Sequence, residues 1–201
     1  IVVCVKHVPD ATGDRRFGED FTVDRSVDGL LSELDEYAVE QALRIKESRP
    51  DDEITITALT VGPEKAGDAI RKALQMGADD GIHVVDDAIA GSDAFATSLV
   101  LAKAVEKAGV PEILMCGMAS TDAGMSVVPV LLGERLGRPQ ITHAAGSETQ
   151  GQEIRIKRDG DAASEVIAAT MPALVSVTDQ SGEARYPSFK GIMAAKSKPV
   201  D

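Results

Sequence analysis

Gly117-Met-Ala-Ser-Thr-Asp-Ala-Gly124 places two hydroxyls and a carboxylate between two glycines, directly after the apolar run Ile113-Leu-Met-Cys116. A buried strand ending at Gly117 lets a ligand approach the backbone closely, and Ser120 and Thr121 offer hydroxyls. A chain passing Gly124 into a helix presents free N–H groups to an anion. This is chemistry for cradling a phosphate. A structural turn capped by Asp122 uses the same residue types, and spacing alone leaves both readings open. A second stretch, Arg185-Tyr-Pro-Ser-Phe189-Lys-Gly-Ile-Met-Ala-Ala-Lys196, holds an exposed-type aromatic pair with four cations once Lys198 is included, and no carboxylate. Tyr and Phe add contact area at low entropy cost, so its chemistry is that of docking; a solvated surface turn is the alternative. Pro187 and Gly191 argue against a helix there.

Other chemistries are missing. No G-x-x-x-x-G-K-[ST], G-x-G-x-x-G, G-x-S-x-G or C-x-x-C occurs. His7, His83 and His143 fall on three different strands, and only His7 nears the ligand edge, where a hydrogen-bonded structural role is expected. Asp79-Asp80 and Asp86-Asp87 belong to solvated turns. With no nucleophile, acid and base set, the chain reads as a binder or carrier, not an enzyme. Cys4 and Cys116 lie in apolar runs and read as small buried hydrophobes of a reducing, cytoplasmic compartment, not as a disulfide or metal set. A net charge of -12 repels phosphate backbones and argues against nucleic acid, and no apolar run reaches membrane-spanning length.

The elements that must position these residues follow from periodicity. With 43% hydrophobic but only 3% aromatic residues, the core must be built from Val, Ile, Leu and Ala, as in parallel strands under Ala-rich helices. Strands are expected over Ile1–Val8, Ile54–Thr60, Ile82–Val85 and Ile113–Cys116, with a short edge strand at Phe21–Val23. Between them run helices. Ser32-Glu-Leu-Asp35 reads as a capping box for the first, whose inner face is Leu34, Tyr37, Ala38, Gln41, Ala42 and Ile45. The second turns in at Gly62-Pro63 and closes at Gly77; the third starts at Ser92-Asp93 with Phe95, Leu99, Ala102 and Val105 inward; the fourth ends near Gly133–Gly137. This βαβ alternation implies a three-layer, doubly wound, mostly parallel sheet, with ligands beyond the carboxyl ends of its strands. Cys4–Pro9, Val61–Pro63, Gly91–Asp93 and Gly117–Gly124 should meet there. Past Pro139 the period becomes two, so Ile141–Ala145, Glu153–Arg158 and Glu165–Ala169 read as a small antiparallel appendage turning at Gly160-Asp161, and Ala173–Thr178 can rejoin the main sheet. The whole is one domain: a core over 1–140, antiparallel strands over 141–180 and a tail over 181–201.

With these pieces placed, the chain resembles the β subunit of electron-transfer flavoproteins along nearly its whole length. Val3-Cys-Val-Lys-His-Val-Pro-Asp10, Glu36-Tyr-Ala-Val-Glu-Gln-Ala-Leu43 and Ala69-Ile-Arg-Lys-Ala-Leu-Gln-Met-Gly-Ala-Asp79 are similar to family motifs, and the 185–196 stretch is the most specific match. The resemblance implies a heterodimeric electron carrier. It binds a structural AMP in this subunit and pairs with an α subunit that holds most of an FAD. Electrons pass from flavin dehydrogenases, such as the acyl-CoA dehydrogenases of fatty acid oxidation, to a membrane quinone oxidoreductase. Carried onto this sequence, the AMP pocket would comprise Cys4, Ser32, Glu33, Leu34, Asp35, Val61 and the run Gly117, Met118, Ala119, Ser120, Thr121, Asp122, Ala123, Gly124, Met125, Ser126, Val127 and Val128. The tail would be the dehydrogenase-recognition loop, with Arg185, Tyr186, Lys190, Ile192 and Met193 around a plug at Phe189. Asp159 matches an acidic position that meets the mobile flavin domain. Where many members carry Asn-Pro-Phe or Asn-Pro-Tyr, this chain has Ser32-Glu33-Leu34, which puts an aromatic contact to the flavin in question. Family members continue past the tail into an arm around the α subunit, whereas this sequence ends at Asp201. Two alternatives stand beside this reading: an electron-bifurcating form with FAD in the AMP site, and a free-standing adenine-nucleotide-binding domain of the universal stress type.

Overall fold

Six short strands lie side by side and all parallel in the computed structural model, which describes residues 1–201. In chain order the elements are β1 (Val2–Cys4), β2 (His7–Pro9), β3 (Gly29–Leu31), α1 (Glu33–Ser48), β4 (Thr57–Val61), α2 (Gly67–Met76), β5 (Asp80–Val84), α3 (Ala94–Ala108), β6 (Ile113–Gly117), α4 (Val128–Arg135), β7 (Gln140–Ala144), β8 (Gly146–Gln150), β9 (Glu153–Asp159), β10 (Ser164–Thr170), β11 (Ala173–Val177) and α5 (Phe189–Ala194). The central sheet has the order β5-β4-β1-β6-β11-β7. From β1 the chain winds outward to β4 and β5, then returns to the other side of β1 as β6. The order therefore reverses between β1 and β6, and a crevice opens beyond their carboxyl ends.

Strand alternation supplies two buried faces from continuous apolar runs. Val3, Ala58, Met115 and Val175 point into a core of 27 residues shared with α1 and α2. Val2, Leu59, Leu114 and Leu174 point into a second core of nine, covered by α3 and α4. Each fully buried aliphatic side chain stabilises by roughly 1.5–3 kcal/mol, so both helical layers are held chiefly by area. The three-stranded antiparallel sheet β10-β9-β8 adds Ile154 and Ile156 to the larger core. No helix is long and apolar enough to cross a membrane.

Several expectations are corrected. The first strand does not run to Val8. Lys6 gives its N–H to the Asp35 carboxylate at 2.9 Å and its carbonyl to Ser32 N–H, so the start of α1 takes the place of a sheet neighbour and the chain turns into β2. Strand β2 pairs antiparallel with β3 instead. Strand β7 is not part of the antiparallel appendage: it lies parallel to β11 at the sheet edge, with an irregular register where His143 has φ 62°. Period two reports pleating, not strand direction. Of Phe21–Val23 only a bridge from Phe17 to Val23 remains. Helix α3 is capped by Asp93, which accepts from Ala96 N–H at 2.8 Å, but it is rotated from the expected face. Ser98, Leu101, Ala102 and Val105 are buried while Phe95 and Leu99 are exposed, because this turn packs on α4 and Ser98 receives Arg135 Nε at 2.8 Å.

The 185–196 stretch does form a helix. Ser188 Oγ caps α5 by accepting from Gly191 N–H at 3.0 Å. A Cβ on Gly191 would lie 2.5 Å from the Gln75 carbonyl oxygen, so the glycine lets α5 approach α2 closely. After α5, Pro199–Asp201 run beside β5, with Gly81 N–H to Pro199 at 3.1 Å and His83 N–H to Asp201 at 2.7 Å.

Candidate functional site

At the crevice, β6 delivers Gly117 under the first turn of α1. A Cβ on Gly117 would meet Asp35 Oδ1 at 2.6 Å and the Leu34 carbonyl at 2.8 Å. The glycine therefore makes room for α1, a different reason from the ligand approach expected from its position. The loop that follows is pinned from several sides. Thr121 donates its N–H to Ser32 Oγ at 3.2 Å, and its carbonyl accepts from Arg15 at 2.6 Å. Asp122, whose side chain is fully buried, accepts from Lys6 Nζ at 2.9 Å and from Arg25 Nη2 at 2.5 Å. Lys6 Nζ also reaches Ser120 Oγ at 3.4 Å. Ser32 is the residue before α1, yet its hydroxyl does not cap the helix; it holds the cradle loop instead, and Asp35 reaches Lys6 in place of closing a capping box. Helix α4 begins only at Val128. Between it and Gly124 the chain stays irregular, with Ser126 at φ 56° and Met125 and Val127 exposed.

Two carboxylates a short distance apart are driven in opposite directions. Burial would raise Asp122, but the Ser120 hydroxyl, the Lys6 ammonium and the Arg25 guanidinium together hold it at about 2. Burial pushes Asp35 up to about 7 against the Lys6 and Gly117 N–H groups, which favour its charged form, and the Asp122 charge adds to the rise. The crevice thus combines two cations, two backbone-tied hydroxyl positions and a carboxyl that titrates near neutrality. It has no nucleophile aligned with a base. These groups can bind, orient and charge-match an anionic ligand.

The structure brings Ser32, Asp35, Gly117 and Ser120–Asp122 into one hydrogen-bonded unit. Cys4 and Val61 lie at the carboxyl ends of β1 and β4, half-buried against the smaller core. Ser92 and Asp93 are instead engaged in their own turn and helix cap, Ser92 donating to Ile89 at 2.6 Å. Cys4 and Cys116 are both free, and burial with the neighbouring Cys4 thiol raises Cys116 well above the ordinary thiol range, as suits inert small hydrophobes. His7 is not held by a hydrogen bond as expected. Its Nε2 is buried without a partner, the ring sits against Gly29, and burial lowers its pKa. Sequence reasoning missed Lys6, Arg15 and Arg25 as cradle residues. Two of them come from the irregular charged segment before β3, where no periodicity points inward; only the fixed place of Lys6 two residues past Cys4 signalled it.

In the 185–196 stretch the side chains divide. Arg185 is no free docking cation: Nε donates to Glu40 at 2.7 Å and Nη1 to Glu47 at 2.5 Å, so it fastens the stretch to α1. The hydrogen bonds of Glu47 and Glu40 raise the Arg185 pKa further. Tyr186 is 92% exposed and Phe189 80%, and Lys190, Ile192 and Met193 are exposed beside them. Asp159 sits at the β9–β10 hairpin, where it accepts from Lys157 Nζ at 2.9 Å and from Ser164.

Residues 20–201 match the electron transfer flavoprotein domain family. The chain is 45% identical over 204 residues to the electron transfer flavoprotein subunit beta of Mycobacterium leprae (strain TN), covering all of this chain and 77% of that protein. It is 38% identical to the protein of the same name from Syntrophomonas wolfei subsp. wolfei, with the same coverage. It is also similar, at 34% identity over 100% of this chain and 75% of the relative, to the acryloyl-CoA reductase electron transfer subunit gamma of Anaerotignum propionicum.

Proposed function

The chain belongs to the electron transfer flavoprotein family as a β-type subunit, and from that premise we propose that it carries AMP in the β1–β6 crevice while a partner α subunit carries FAD. The observation that supports this most is the closed unit of Lys6, Arg25, Asp122, Ser32 and Asp35 at the switch point, which offers charge and hydrogen bonds but no catalytic set. Lys6 and Arg25 lie where a phosphate would be neutralised, the Ser120 and Thr121 hydroxyls can serve ribose or phosphate oxygens, and Asp35 and Ser32 hold the loop in place. The flavin, when bound, supplies the reversible uptake of electrons. This chain's residues bind the nucleotide, fix the loop and present a docking face. On this reading electrons come from flavin dehydrogenases docking at Phe189 and leave to a quinone oxidoreductase.

Denaturing the purified α/β complex and weighing the released nucleotides tests the cofactor. One FAD and one AMP per complex is the expected result; two FAD would replace AMP by flavin in the crevice, the arrangement of a bifurcating carrier. No nucleotide beyond a single FAD would sink the crevice reading.

The docking role is tested by Phe189→Ala. The ring is exposed, so its removal leaves folding and flavin content unchanged. An anchor that fills a partner pocket is worth about 2 kcal/mol or more, so kcat/KM for reduction by the donor dehydrogenase should fall roughly 30-fold. A value within twofold of wild type would remove Phe189 from the interface.

A further inference from the structure

Helix α5 touches α2 at Gly191, but the two diverge beyond it. A groove of about 670 Å³ opens there, continuing to the terminal segment beside β5. Arg71 and Gln75 of α2 form one wall, Ile192 and Lys196 the other, and His83 and Val200 lie along its floor. The charges on this groove are unusual for the molecule. The chain has 21 lysines and arginines, and nearly all have an ion-pair or hydrogen-bond partner. Arg71, Lys107, Arg138, Lys190 and Lys196 have none, and three of these five lie on or beside this groove. A chain of formal charge -12 thus leaves a patch of positive charge unneutralised next to its most exposed aromatics. Lys198, also on the lining, is not part of that surplus: its ammonium bonds the Leu74 carbonyl at 3.1 Å and the Ala78 carbonyl at 2.5 Å, and so fixes the terminal segment against the end of α2. Glu64, at α2's start, is the lone carboxylate on the lining. His83 Nε2 is tied to the Gly62 carbonyl at 3.1 Å.

Unpaired cations over an apolar side chain require an anion with an apolar stem. A small anion would satisfy Arg71 and Lys196 but leave Ile192, Met193 and Phe189 bare, all of them on the same short helix. A protein segment covers both. We propose that the groove receives an acidic segment of the flavin dehydrogenase, its carboxylates pairing with Arg71 and Lys196 while Ile192 packs against their aliphatic stems. The inference rests on the docking reading of Phe189 and extends that face by about two turns of α2.

The test uses the α/β complex and steady-state reduction by the donor dehydrogenase. Arg71→Glu and Lys196→Glu change exposed side chains, so thermal midpoint and flavin content should stay at wild-type values. Each should raise KM about tenfold at low salt with kcat unchanged, because charge at an interface acts on encounter. The difference should shrink severalfold at about 0.5 M salt, where exposed charges are screened, and Arg71→Lys should largely restore KM. Unchanged KM in both reversals, with Phe189→Ala still impaired, overturns the groove and leaves the docking helix standing. Unchanged KM in all three variants overturns both. Inhibition by millimolar inorganic phosphate beyond that of chloride at matched ionic strength, lost in Arg71→Glu, would make the groove a small-anion site and overturn the acidic-segment proposal.

Discussion

Gly117→Val is expected to abolish nucleotide retention and to lower the unfolding free energy of the chain by about 3 kcal/mol or more. The atoms that a side chain would strike are not the far ends of flexible groups. They are the Leu34 carbonyl at 2.8 Å and the buried carboxylate of Asp35 at 2.6 Å. Relief requires α1 to lift from β6. That movement breaks the bond from Lys6 N–H to Asp35 and pulls Ser32 from Thr121, so the loop carrying Asp122 loses its anchor. Overpacking in a well-filled region typically costs 1–3 kcal/mol, and a β-branched residue against backbone lies at or above the upper end. Gly124→Ala is the comparison. Its φ is 62°, but nothing lies within 4 Å of the added methyl, so only about 1–2 kcal/mol of backbone strain is expected and nucleotide should be retained. Urea unfolding midpoints and nucleotide content of the two variants separate the cases. If Gly117→Ala and Gly117→Val both unfold within about 0.5 kcal/mol of wild type, the contact with α1 is not what the glycine serves.

Much of the scaffold was legible because parallel strands covered on both faces write themselves as apolar runs, and Gly77, Asp93 and the Gly62-Pro63 turn punctuate them. The crevice at β1 and β6 followed from the topology. What escaped was everything decided by partners distant in sequence. Lys6 reads as part of a strand until Asp35 and Ser32, nearly thirty residues on, claim its backbone. Ser32 and Asp35 have the spacing of a capping box, yet both face across to other segments, because satisfying the buried loop of Thr121 matters more than one helix end. Phe95 and Leu99 fit the helical period of α3 equally well inward or outward, and α4 decided. Arg185 looked like docking charge in a basic run, but two glutamates a turn or two apart on α1 hold it. The helix at Phe189–Ala194 was missed because Pro187 and Gly191 were read as breakers, when Pro187 precedes the cap and Gly191 serves a close helix crossing.

The opposed carboxylates give the second large effect, which appears in the pH dependence of stability. Asp35 has an ordinary value of 3.8 and is pushed up to about 7 in the fold. Its neutral form is therefore the one the fold prefers. Stability is full below about pH 4 and falls as pH rises toward 7, by about 1.4 kcal/mol per unit, on the order of 4 kcal/mol across the window. Asp122 has the opposite sign: held at about 2, its contribution is present above about pH 4 and is lost only below it, so it does not enter the same window. His7, lowered by burial, gains stability as pH rises toward 6.5, but it is common to wild type and variant and cancels in their difference. Asp35→Asn cannot ionise. Its amide must turn one NH2 toward a backbone N–H that the carboxylate accepted, so at pH 5 the variant should be the less stable chain. Between pH 5 and 7.5 the wild type should then lose stability relative to the variant, narrowing or reversing the gap. Urea unfolding of both proteins at half-unit pH steps measures this directly. A constant difference across the range would mean that Asp35 ionises at its ordinary value, and that the Lys6 and Gly117 N–H groups outweigh its burial.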